Sequence, residues 1–304
     1  MRKRILIIGY GSIGRKHALI INKFFKNETK ILKIFTKQKI KNSLYSRNQV
    51  LDFNPDYIIV ANETSKHLET LKFLEKNFKK KIILIEKPLF HKKINYKIKK
   101  NYVFVGYNLR FHPILDFVKK KIKNKKIYFV NAECSSYLPN WRKNINYKNS
   151  SSAFKDKGGG VLLDLSHELD YLKLIFGIKK IHSVFNKKIS ELKINTDDIL
   201  VTNFLSKKSV LVNLVQSYFS RIARRTLVID GKKISIKANF LDNTVVYKKN
   251  ENIKTYKKYF IMRPNDMYIA MHKCIFKKKF KKLCSYNEAV NLLKLIDTIK
   301  KFKA

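Results

Sequence analysis

The sequence predicts an α/β protein in which an N-terminal, doubly wound parallel sheet is followed by a second α/β domain with an open, mainly antiparallel sheet. In the first 120 residues, short and continuously apolar strands alternate with helical segments, which is typical of a parallel sheet buried on both faces. Later strands alternate apolar with polar or small residues, as in residues 210–218, which is typical of an antiparallel strand with one covered face. We therefore expect domains at residues 1–120 and 121–304, the second ending in an amphipathic helix.

The composition excludes several classes of protein. A hydrophobic fraction of 45% is enough for an ordinary core, so the chain is not expected to be disordered. Its apolar runs stop far short of the roughly 18 residues that a membrane span needs. Cys134, Cys274 and Cys284 form no CxxC pair, so neither a disulfide framework nor a metal site is expected. Glycines interrupt the apolar run that follows the basic N-terminus, so we expect no signal peptide and a cytoplasmic protein.

The net charge of +45 raises the possibility of nucleic-acid binding. However, the lysines are spread through the whole chain in short runs, such as residues 79–81 and 277–279. Arginine, which makes bidentate contacts with phosphate, is much scarcer than lysine. We interpret most lysines as surface filler that attracts anionic small molecules, and we keep a nucleic-acid binder as a third hypothesis.

The first glycine cluster predicts a dinucleotide site. An apolar run at residues 5–8 leads directly into a GxGxxG motif and then into a helical pattern. In this setting Gly9 makes the tight turn, Gly11 lets the backbone approach a pyrophosphate, and Gly14 lets helix and strand pack. The backbone of the turn and of the helix start would hold the phosphates; the motif positions in between are Tyr10, Ser12 and Ile13. The sequence therefore predicts a Rossmann domain for NAD or NADP.

The end of the second strand favours NADP over NAD. NAD sites usually carry an acidic residue there, which binds the ribose hydroxyls. Here residues 30–35 are followed by Thr36, Lys37, Gln38 and Lys39, with no acid. A hydroxyl and two cations suit a 2′-phosphate. The alternative is that the two lysines are ordinary surface residues.

Polar motifs follow the next buried strands. Residues 56–61 lead into Asn62, residues 81–85 lead into the triplet Glu86, Lys87 and Pro88, and residues 102–106 form one more strand. The carboxyl ends of parallel strands are where ligands of such sheets bind. Further strands are expected at residues 127–134, 199–205, 210–218, 226–229 and 244–247, in the second domain.

A second glycine cluster, Gly158 to Gly160, precedes a predicted helix over residues 161–176 with Gly177 as its C-cap. Its apolar stripe is Leu165, Leu169, Leu172 and Phe176, and its polar stripe is Asp164, His167, Glu168 and Tyr171. A carboxylate one turn from an imidazole can orient the ring and raise its pKa, which suits a base for a hydroxyl proton. The alternative is a solvated helix face.

Other candidates for substrate contact are Trp141 and Tyr147, near Arg142 in a loop, where aromatic rings could stack on a sugar. Trp141 could equally fill a gap in the core. Arg110, Arg221, Arg224 and Arg225 could serve an anionic substrate, although ordinary ion pairs are an equal alternative. We expect residues 149–153 to form a flexible loop and His17 to be structural.

Taken together, the motifs resemble the Gfo/Idh/MocA family (glucose–fructose oxidoreductase, inositol dehydrogenase, MocA) nearly from end to end. The resemblance rests on the residues around GYGSIG at 9–14, Val60 to Thr64 with His67, Glu86 to Leu89, Gly106 to Pro113, and Gly158 to Asp164 with His167 and Asp170. It implies a Rossmann domain paired with an open-sheet α/β domain, and NAD(P)-dependent chemistry on sugars, polyols or nucleotide-linked sugars.

The resemblance also implies roles for individual residues. Lys87 would contact substrate and cofactor, placed by a cis peptide bond before Pro88, while Asp164 and His167 would supply polar and acid/base groups. Ala61, Asn62, Thr64, His67 and Glu86 would lie along the cofactor, and Asn108 and Arg110 along the substrate. One departure is the spacing of Asp164 and His167, which is DxxH here and DxxxH in many members.

From the sequence we therefore expect an NAD(P)-dependent oxidoreductase, with NADP favoured, that acts on the hydroxyl or ketone of a sugar or nucleotide-linked sugar. The altered spacing motivates an alternative, a non-catalytic NADP-binding sensor or accessory protein of the same fold. The expected partners are a small, sugar-type and possibly anionic substrate and further copies of the chain, joined through the second-domain sheet. No membrane partner is expected.

Overall fold

The computed structural model describes residues 2–142, 145–250 and 254–302, which fold into two compact units. The first unit contains the chain up to Asn108 and the later segment Asn265–Leu293, and the second contains Leu109–Pro264 and the residues from Lys294 onward. This division differs from the expected boundary after residue 120. The chain enters the second unit earlier, and it returns to the first unit with a segment that the sequence analysis had placed in the second.

Eight helices lie in the described residues. They are α1 (Ser12–Phe24), α2 (Arg47–Phe53), α3 (His67–Asn77), α4 (Pro113–Ile122), α5 (Val161–Asp164), α6 (His167–Phe176), α7 (Asp266–Phe276) and α8 (Tyr286–Lys300). Within these residues, no helix combines the length and apolarity needed to cross a membrane.

The described residues also form fifteen strands in two sheets. They are β1 (Lys3–Ile8), β2 (Thr29–Phe35), β3 (Ser43–Leu44), β4 (Tyr57–Val60), β5 (Ile82–Ile85), β6 (Tyr102–Val105), β7 (Ile127–Tyr137), β8 (Ile178–Lys187), β9 (Ile199–Ser206), β10 (Leu211–Ser217), β11 (Phe219–Gly231), β12 (Ile234–Asn239), β13 (Thr244–Lys249), β14 (Tyr256–Tyr259) and β15 (Cys284–Ser285).

The sheet of the first unit has the strand order β15-β6-β5-β4-β1-β2-β3. All its pairs are parallel except β15 with β6, which confirms the predicted parallel sheet. The order from β3 to β6 is that of a doubly wound sheet. Strands β1, β4 and β5 are buried along nearly their whole length, because helices cover both faces of such a sheet.

The segment that returns to the first unit brings a helix, α7, that the sequence analysis missed. The ring of Phe276 in α7 stacks on Phe25, directly after α1, with ring centres 4.7 Å apart. The short strand β15 pairs with β6 and extends the edge of the sheet. These contacts explain why residues 265–293 belong to the first unit.

The sheet of the second unit has the order β14-β13-β12-β11-β7-β10-β9-β8. Its pairs are antiparallel apart from β10 with β7, so the predicted mainly antiparallel sheet is confirmed. Along β10, Val212, Leu214 and Gln216 are buried and Leu211 is exposed, as the alternating pattern predicted. Helices α5 and α6 pack on this sheet, and strands β8, β12 and β14 were not predicted.

The predicted single helix over residues 161–176 is wrong, because the structure has two helices separated by Leu165 and Ser166. The side-chain amide of Gln216, on β10, donates a hydrogen bond of 2.6 Å to the carbonyl oxygen of Leu165. This donor from the sheet binds the backbone between the two helices. Helix α6 ends at Phe176, and Gly177 with φ of 66° follows as the predicted C-cap.

Candidate nucleotide and substrate sites

The three glycines of the first cluster meet different requirements. Gly9 has φ of 93°, and a Cβ there would lie 2.6 Å from the backbone nitrogen of Asn62. A Cβ on Gly14 would overlap the carbonyl oxygen of Gly9. Gly11 has φ of −72°, and a Cβ there would meet no described atom within 4 Å. The backbone and packing of the protein therefore require glycine at positions 9 and 14, but not at position 11.

Helix α1 begins at Ser12 directly after this turn. The preceding residue, Gly11, provides no side-chain cap, and the first turn contains no acidic residue. The N–H groups of a helical first turn have no partner within the helix. The amides of Ser12, Ile13 and Gly14 thus form a partly positive end next to the open side of Gly11.

Arg15 lies over this turn, which the sequence analysis did not anticipate. Its Nε donates to the carbonyl oxygen of Tyr10 at 3.3 Å, and its guanidinium carbon lies 5.5 Å from the centre of the Tyr10 ring. Its Nη2 also donates to Oε1 of Gln38 at 3.3 Å. In the sequence, only its position directly after Gly14 could have indicated that Arg15 belongs to this site.

The cations and the hydroxyl group that follow β2 are exposed or partly exposed. The Oγ1 of Thr36 accepts a hydrogen bond of 3.2 Å from the backbone N–H of Gln38. Lys37 is exposed. A shallow depression of about 610 Å³ is lined by Lys37, Lys39, Ile40, Lys41 and Tyr45.

The segment after β4 lies against the glycine turn. The Ala61 amide donates to the Ile8 carbonyl oxygen at 2.8 Å and so extends the pairing of β4 with β1. The Nδ2 of Asn62 donates to Oγ1 of Thr70 at 2.9 Å, while its buried Oδ1 has no hydrogen-bond partner in the described part of the chain. Thr64 begins the short 3₁₀ turn Thr64–Lys66.

His67 joins the segments that follow β4 and β5. Its Nε2 lies 3.2 Å from the carbonyl oxygen of Asn62, and its Nδ1 lies 3.2 and 3.1 Å from those of Pro88 and Leu89. Burial lowers the pKa of His67, while the backbone carbonyl oxygens around the ring act in the opposite direction. The structure thus places His67 as a brace between two loops, with both ring nitrogens directed at backbone oxygens.

Glu86 and Lys87 follow β5, and the peptide bond between Lys87 and Pro88 is cis. The buried Oε1 of Glu86 lies 2.9 Å from Nε2 of His17, and its Oε2 accepts the backbone N–H of Lys87 at 3.3 Å. A Cβ on Gly106 would come within 2.8 Å of Glu86 Oε1, so the glycine leaves room for the carboxylate. The Lys87 side chain itself is half-buried.

Asn108 ends the first unit, and Arg110 lies just inside the second. Asn108 is buried at the start of the 3₁₀ turn Asn108–Phe111. Arg110 is also buried, and it binds Asp170 through two hydrogen bonds, Nε to Oδ2 at 2.8 Å and Nη2 to Oδ1 at 2.6 Å. The ion-pair alternative is therefore the one observed for Arg110.

Two of the other three arginines form ion pairs as well. Nε of Arg224 lies 2.6 Å from Oε1 of Glu133, and Nε of Arg225 lies 2.8 Å from Oε1 of Glu168. The guanidinium carbon of Arg221 lies 3.7 Å from the centre of the Tyr137 ring. These contacts engage the guanidinium groups with the protein's own side chains.

The polar stripe of the second unit separates into two pairs of residues. Glu168 and Tyr171 are only 0% and 1% exposed, so a solvated face is wrong for them. Asp164 and His167 are partly exposed, at the end of α5 and the start of α6. Partial exposure leaves Asp164 and His167, rather than the other two, able to meet a ligand.

The second glycine cluster is explained by the protein's own packing. Gly158 and Gly160 have φ of 82° and 104°. A Cβ on Gly159 would overlap the carbonyl oxygen of Ser151. Asp197, which the sequence analysis missed, accepts the N–H of Leu162 at 2.9 Å and so caps the start of α5.

The aromatic candidates lie beside this cluster in the chain. Trp141 is 36% exposed, its Nε1 donates to Oγ of Ser136 at 2.8 Å, and its ring meets the Tyr218 ring edge-on at 5.2 Å. The Tyr147 hydroxyl accepts the N–H of Lys193 at 3.2 Å. The segment expected to be a flexible loop contains 3₁₀ turns at Tyr147–Asn149 and Ser151–Ala153.

No family model matches the sequence, and no curated protein sequence matches it either. Solved structures do share its fold. Levoglucosan dehydrogenase in complex with NADH has a TM-score of 0.83 at 15% identity, covering 99% of this chain and 96% of that one. UDP-N-acetylglucosamine 3-dehydrogenase from Acidithiobacillus ferrooxidans has a TM-score of 0.77 at 16% identity, covering 99% and 97%.

An oxidoreductase from Thermotoga maritima is also similar, with a TM-score of 0.80 at 18% identity, covering 98% of this chain and 96% of that one. At these identities the likeness concerns the fold. The chain has the two-domain α/β architecture of these proteins, with a dinucleotide-type glycine turn in its first unit.

Proposed function

We propose that this chain is an NAD(P)-dependent oxidoreductase that transfers a hydride between a nicotinamide and the hydroxyl or ketone of a sugar or nucleotide-linked sugar. The observation that carries the proposal is Gly11. Neither its backbone conformation nor any described neighbour requires a glycine there. A ligand that approaches the backbone closely does require one, as the pyrophosphate of a dinucleotide would.

The surrounding residues fit a dinucleotide. The uncapped amides of Ser12, Ile13 and Gly14 suit the pyrophosphate, since anions bind at helix starts of this kind. The buried Oδ1 of Asn62, without a partner among the described residues, is an acceptor for a hydroxyl group nearby. The backbone at Tyr10 and Ala61 would flank the ligand on the two neighbouring strand ends.

We favour NADP as the cofactor because of the charge after β2. Lys37 is exposed there, Thr36 offers a hydroxyl, and no acid follows the strand. Besides Lys37 and Thr36, Arg15 offers a hydrogen-bond donor, and its guanidinium group lies over the Tyr10 ring. A 2′-phosphate would gain charge-assisted hydrogen bonds from these groups, which a ribose hydroxyl would not.

A bound nicotinamide would supply or accept the hydride. In the first unit, the ammonium of Lys87 at the carboxyl edge of the sheet would bind the reacting oxygen and stabilise negative charge on it. In the second unit, His167 would exchange the hydroxyl proton, and Asp164 would bind substrate and orient polar groups. Asn108, Trp141 and Tyr147 are proposed to contact the sugar through an amide, a stacking surface and a hydroxyl.

The solved structures of the same fold support a sugar as substrate. One is named as a levoglucosan dehydrogenase and has been solved with NADH and levoglucosan, and another is named for UDP-N-acetylglucosamine. A nucleotide-linked sugar is anionic, and a net charge of +45 attracts anions. The ion pairs of Arg110, Arg224 and Arg225 commit these side chains within the protein, which counts against a nucleic-acid surface.

We further propose that copies of the chain assemble through the exposed face of the second-unit sheet, where Leu211 is 43% exposed. Light scattering after size exclusion tests this. The shortened Asp164–His167 spacing, with the helix break inside it, favours a second candidate, a non-catalytic NADP-binding sensor.

The deciding experiment has two arms. Fluorescence titration with NADPH and NADH measures binding, and a panel of sugars and nucleotide-linked sugars measures oxidation or reduction of the nicotinamide at 340 nm. Binding with turnover supports the enzyme, and binding without turnover on any of the panel supports the sensor. If the protein binds neither NADPH nor NADH, both candidate functions are contradicted.

A further inference from the structure

Four buried side chains of the first unit form a continuous row of hydrogen bonds. The Tyr57 hydroxyl lies 2.9 Å from Nδ1 of His272, Nε2 of His272 lies 2.9 Å from Nδ1 of His17, and Nε2 of His17 lies 2.9 Å from Oε1 of Glu86. The residues come from β4, α7, α1 and the end of β5. We name this row the Tyr57–Glu86 chain.

Burial restricts the charge states of the side chains in the Tyr57–Glu86 chain. Tyr57, His17 and His272 are 0% exposed and Glu86 is 6% exposed. Burial holds the pKa of His272 well below its usual value, and burial together with Glu86 raises that of Tyr57 well above its own. His272 is therefore neutral and Tyr57 is protonated at pH 7.

One arrangement of protons satisfies every bond when both rings are neutral and Glu86 is ionised. An ionised carboxylate only accepts, so His17 must donate from Nε2, and its Nδ1 must accept. His272 then donates from Nε2 and accepts at Nδ1, and the donor to that nitrogen is the Tyr57 hydroxyl. All three donors consequently point toward Glu86.

Aromatic side chains pack against three members of the Tyr57–Glu86 chain. Tyr268 meets the His17 ring edge-on at 5.5 Å, Phe25 meets His272 at 5.9 Å, and Phe276 meets Tyr57 at 5.9 Å. The Glu86 carboxylate ends the Tyr57–Glu86 chain, and its other oxygen, Oε2, accepts the backbone N–H of Lys87. The Tyr57–Glu86 chain thus ends at the residue before Lys87 and on its amide.

We propose that Tyr57, His272 and His17 are positioning residues, which hold the Glu86 carboxylate in one orientation and through it fix the backbone of Lys87. The role of Lys87 toward substrate rests on the proposed function, but the hold on its backbone does not. Helix α7 reaches this site from the far end of the sequence, which explains why the first unit needs the returning segment. None of the three positioning residues is proposed to touch substrate or cofactor.

Two measurements on the full chain test the proposal without any substrate. Two-bond ¹H–¹⁵N correlation spectra of the imidazole rings should show His272 as the neutral form with its proton on Nε2, the form in which it donates to His17. Amide hydrogen exchange should show Lys87 opening about 3- to 10-fold more readily in Tyr57→Phe, the factor that one hydrogen bond is worth. Tyr286→Phe is the matched control, because it removes the hydroxyl of another buried tyrosine of this unit, which donates to the Tyr96 carbonyl oxygen.

A conservative pair of variants separates hydrogen bonding from packing. In His272→Gln the side-chain amide can still donate to His17, whereas His272→Leu fills the space without a donor. We expect Lys87 exchange near the parent value in the first variant and faster exchange in the second, with both folded by circular dichroism. A neutral His272 with its proton on Nδ1 overturns the proposal, as does Lys87 exchange unchanged in both Tyr57→Phe and His272→Leu.

Nucleotide titration of the same proteins keeps the two proposals apart. If the parent binds neither NADPH nor NADH, the proposed function fails, and the ring forms and Lys87 exchange still decide the positioning role. If the parent turns over a sugar, Tyr57→Phe should lower kcat about 3- to 10-fold with the KM for nucleotide unchanged. A parent-like kcat in that case contradicts the positioning role.

Discussion

The hydroxyl group of Tyr218 donates a hydrogen bond to Oδ2 of Asp164 across 2.7 Å. Tyr218 directly follows β10 and is fully buried, and Asp164 is the last residue of α5. Burial, the Asp164 charge and this bond raise the pKa of Tyr218 well above its usual value, so the phenol stays a donor. The sheet therefore fixes the orientation of a carboxylate at the point where the helix breaks.

Tyr218→Phe should destabilise the second unit by about 1 to 2 kcal/mol, since it removes a buried bond to a carboxylate that is itself partly exposed. Urea unfolding followed by circular dichroism measures the change. Tyr128→Phe is the control, because Tyr128 is 50% exposed. Equal stability of the two variants would show that the bond contributes nothing measurable.

The glycine turn predicts opposite outcomes for two similar substitutions. Gly11→Ala should unfold like the parent and bind NADPH at least about tenfold more weakly, because its Cβ meets only the ligand side. Gly14→Ala should lose about 1 to 3 kcal/mol of stability, because its Cβ overlaps the Gly9 carbonyl oxygen. Thermal unfolding and NADPH titration of both variants check this, and parent-like NADPH binding by Gly11→Ala would remove the main support for a dinucleotide site.

The charge after β2 predicts a preference among nicotinamide cofactors. We expect NADP to bind at least about tenfold more tightly than NAD, and Lys37→Glu to narrow or invert that ratio, since it removes a cation and adds repulsion. Lys30→Glu is the control, because it makes the same charge change near the start of β2, at the opposite end from Lys37, and should leave the ratio intact. Equal dissociation constants for the two nucleotides in the parent would contradict the preference.

The proposed chemistry predicts large losses of turnover without loss of cofactor. Lys87→Ala and His167→Ala should each lower kcat by about 10²- to 10⁴-fold while NADPH binding stays nearly intact. Lys92→Ala, an exposed lysine close by in the chain, is the control for Lys87. If His167→Ala kept full activity on a sugar that the parent turns over, His167 would not be the proton carrier.

His112 predicts a loss of stability in acid. Burial lowers its pKa from 6.5 to about 4, with Nδ1 accepting the N–H of Ile114 and Nε2 facing Oδ1 of Asn243 at 3.1 Å. Between these values the unfolded chain binds the proton that the folded chain refuses, so stability is complete above pH 6.5 and falls toward pH 4. The loss from this ring is about 2 to 3 kcal/mol.

Asparagine at this position keeps a side-chain oxygen for the N-cap of α4 and cannot titrate. Urea midpoints of the parent and His112→Asn, compared at pH 7.5 and pH 4.5, should therefore show the smaller fall in the variant. The same fall in both proteins would assign the acid sensitivity to other groups, such as the buried His272.

The sequence was sufficient where local pattern decides structure. The apolar runs at β1, β4 and β5 predict buried strands, because a parallel sheet is covered on both faces. The glycine turn was predicted from its local motif, and the cis bond before Pro88 was predicted through the family resemblance. Strand β8 was missed because none of its ten residues is buried, so its sequence shows no regular alternation of apolar and polar residues.

Other features depend on residues distant in the chain. The break between α5 and α6 coincides with a donor 51 positions away, Gln216 on β10. His17 was expected to be only structural, and its hydrogen-bond partner His272 is 255 positions away on a helix that was not predicted. No local periodicity reports such pairings, because they arise only when the chain has folded.

The first unit is assembled from two stretches of sequence, and this sets the order in which a ribosome can complete it. The strands up to Asn108 emerge early, but α7 and β15 emerge only after all of Leu109–Pro264 has been made. At typical synthesis rates, the nascent sheet waits roughly 10 to 30 s for its last helix. During that interval His17, Phe25 and Tyr57 lack their partners on α7, so these side chains stay uncovered on the growing chain until the first unit is finished.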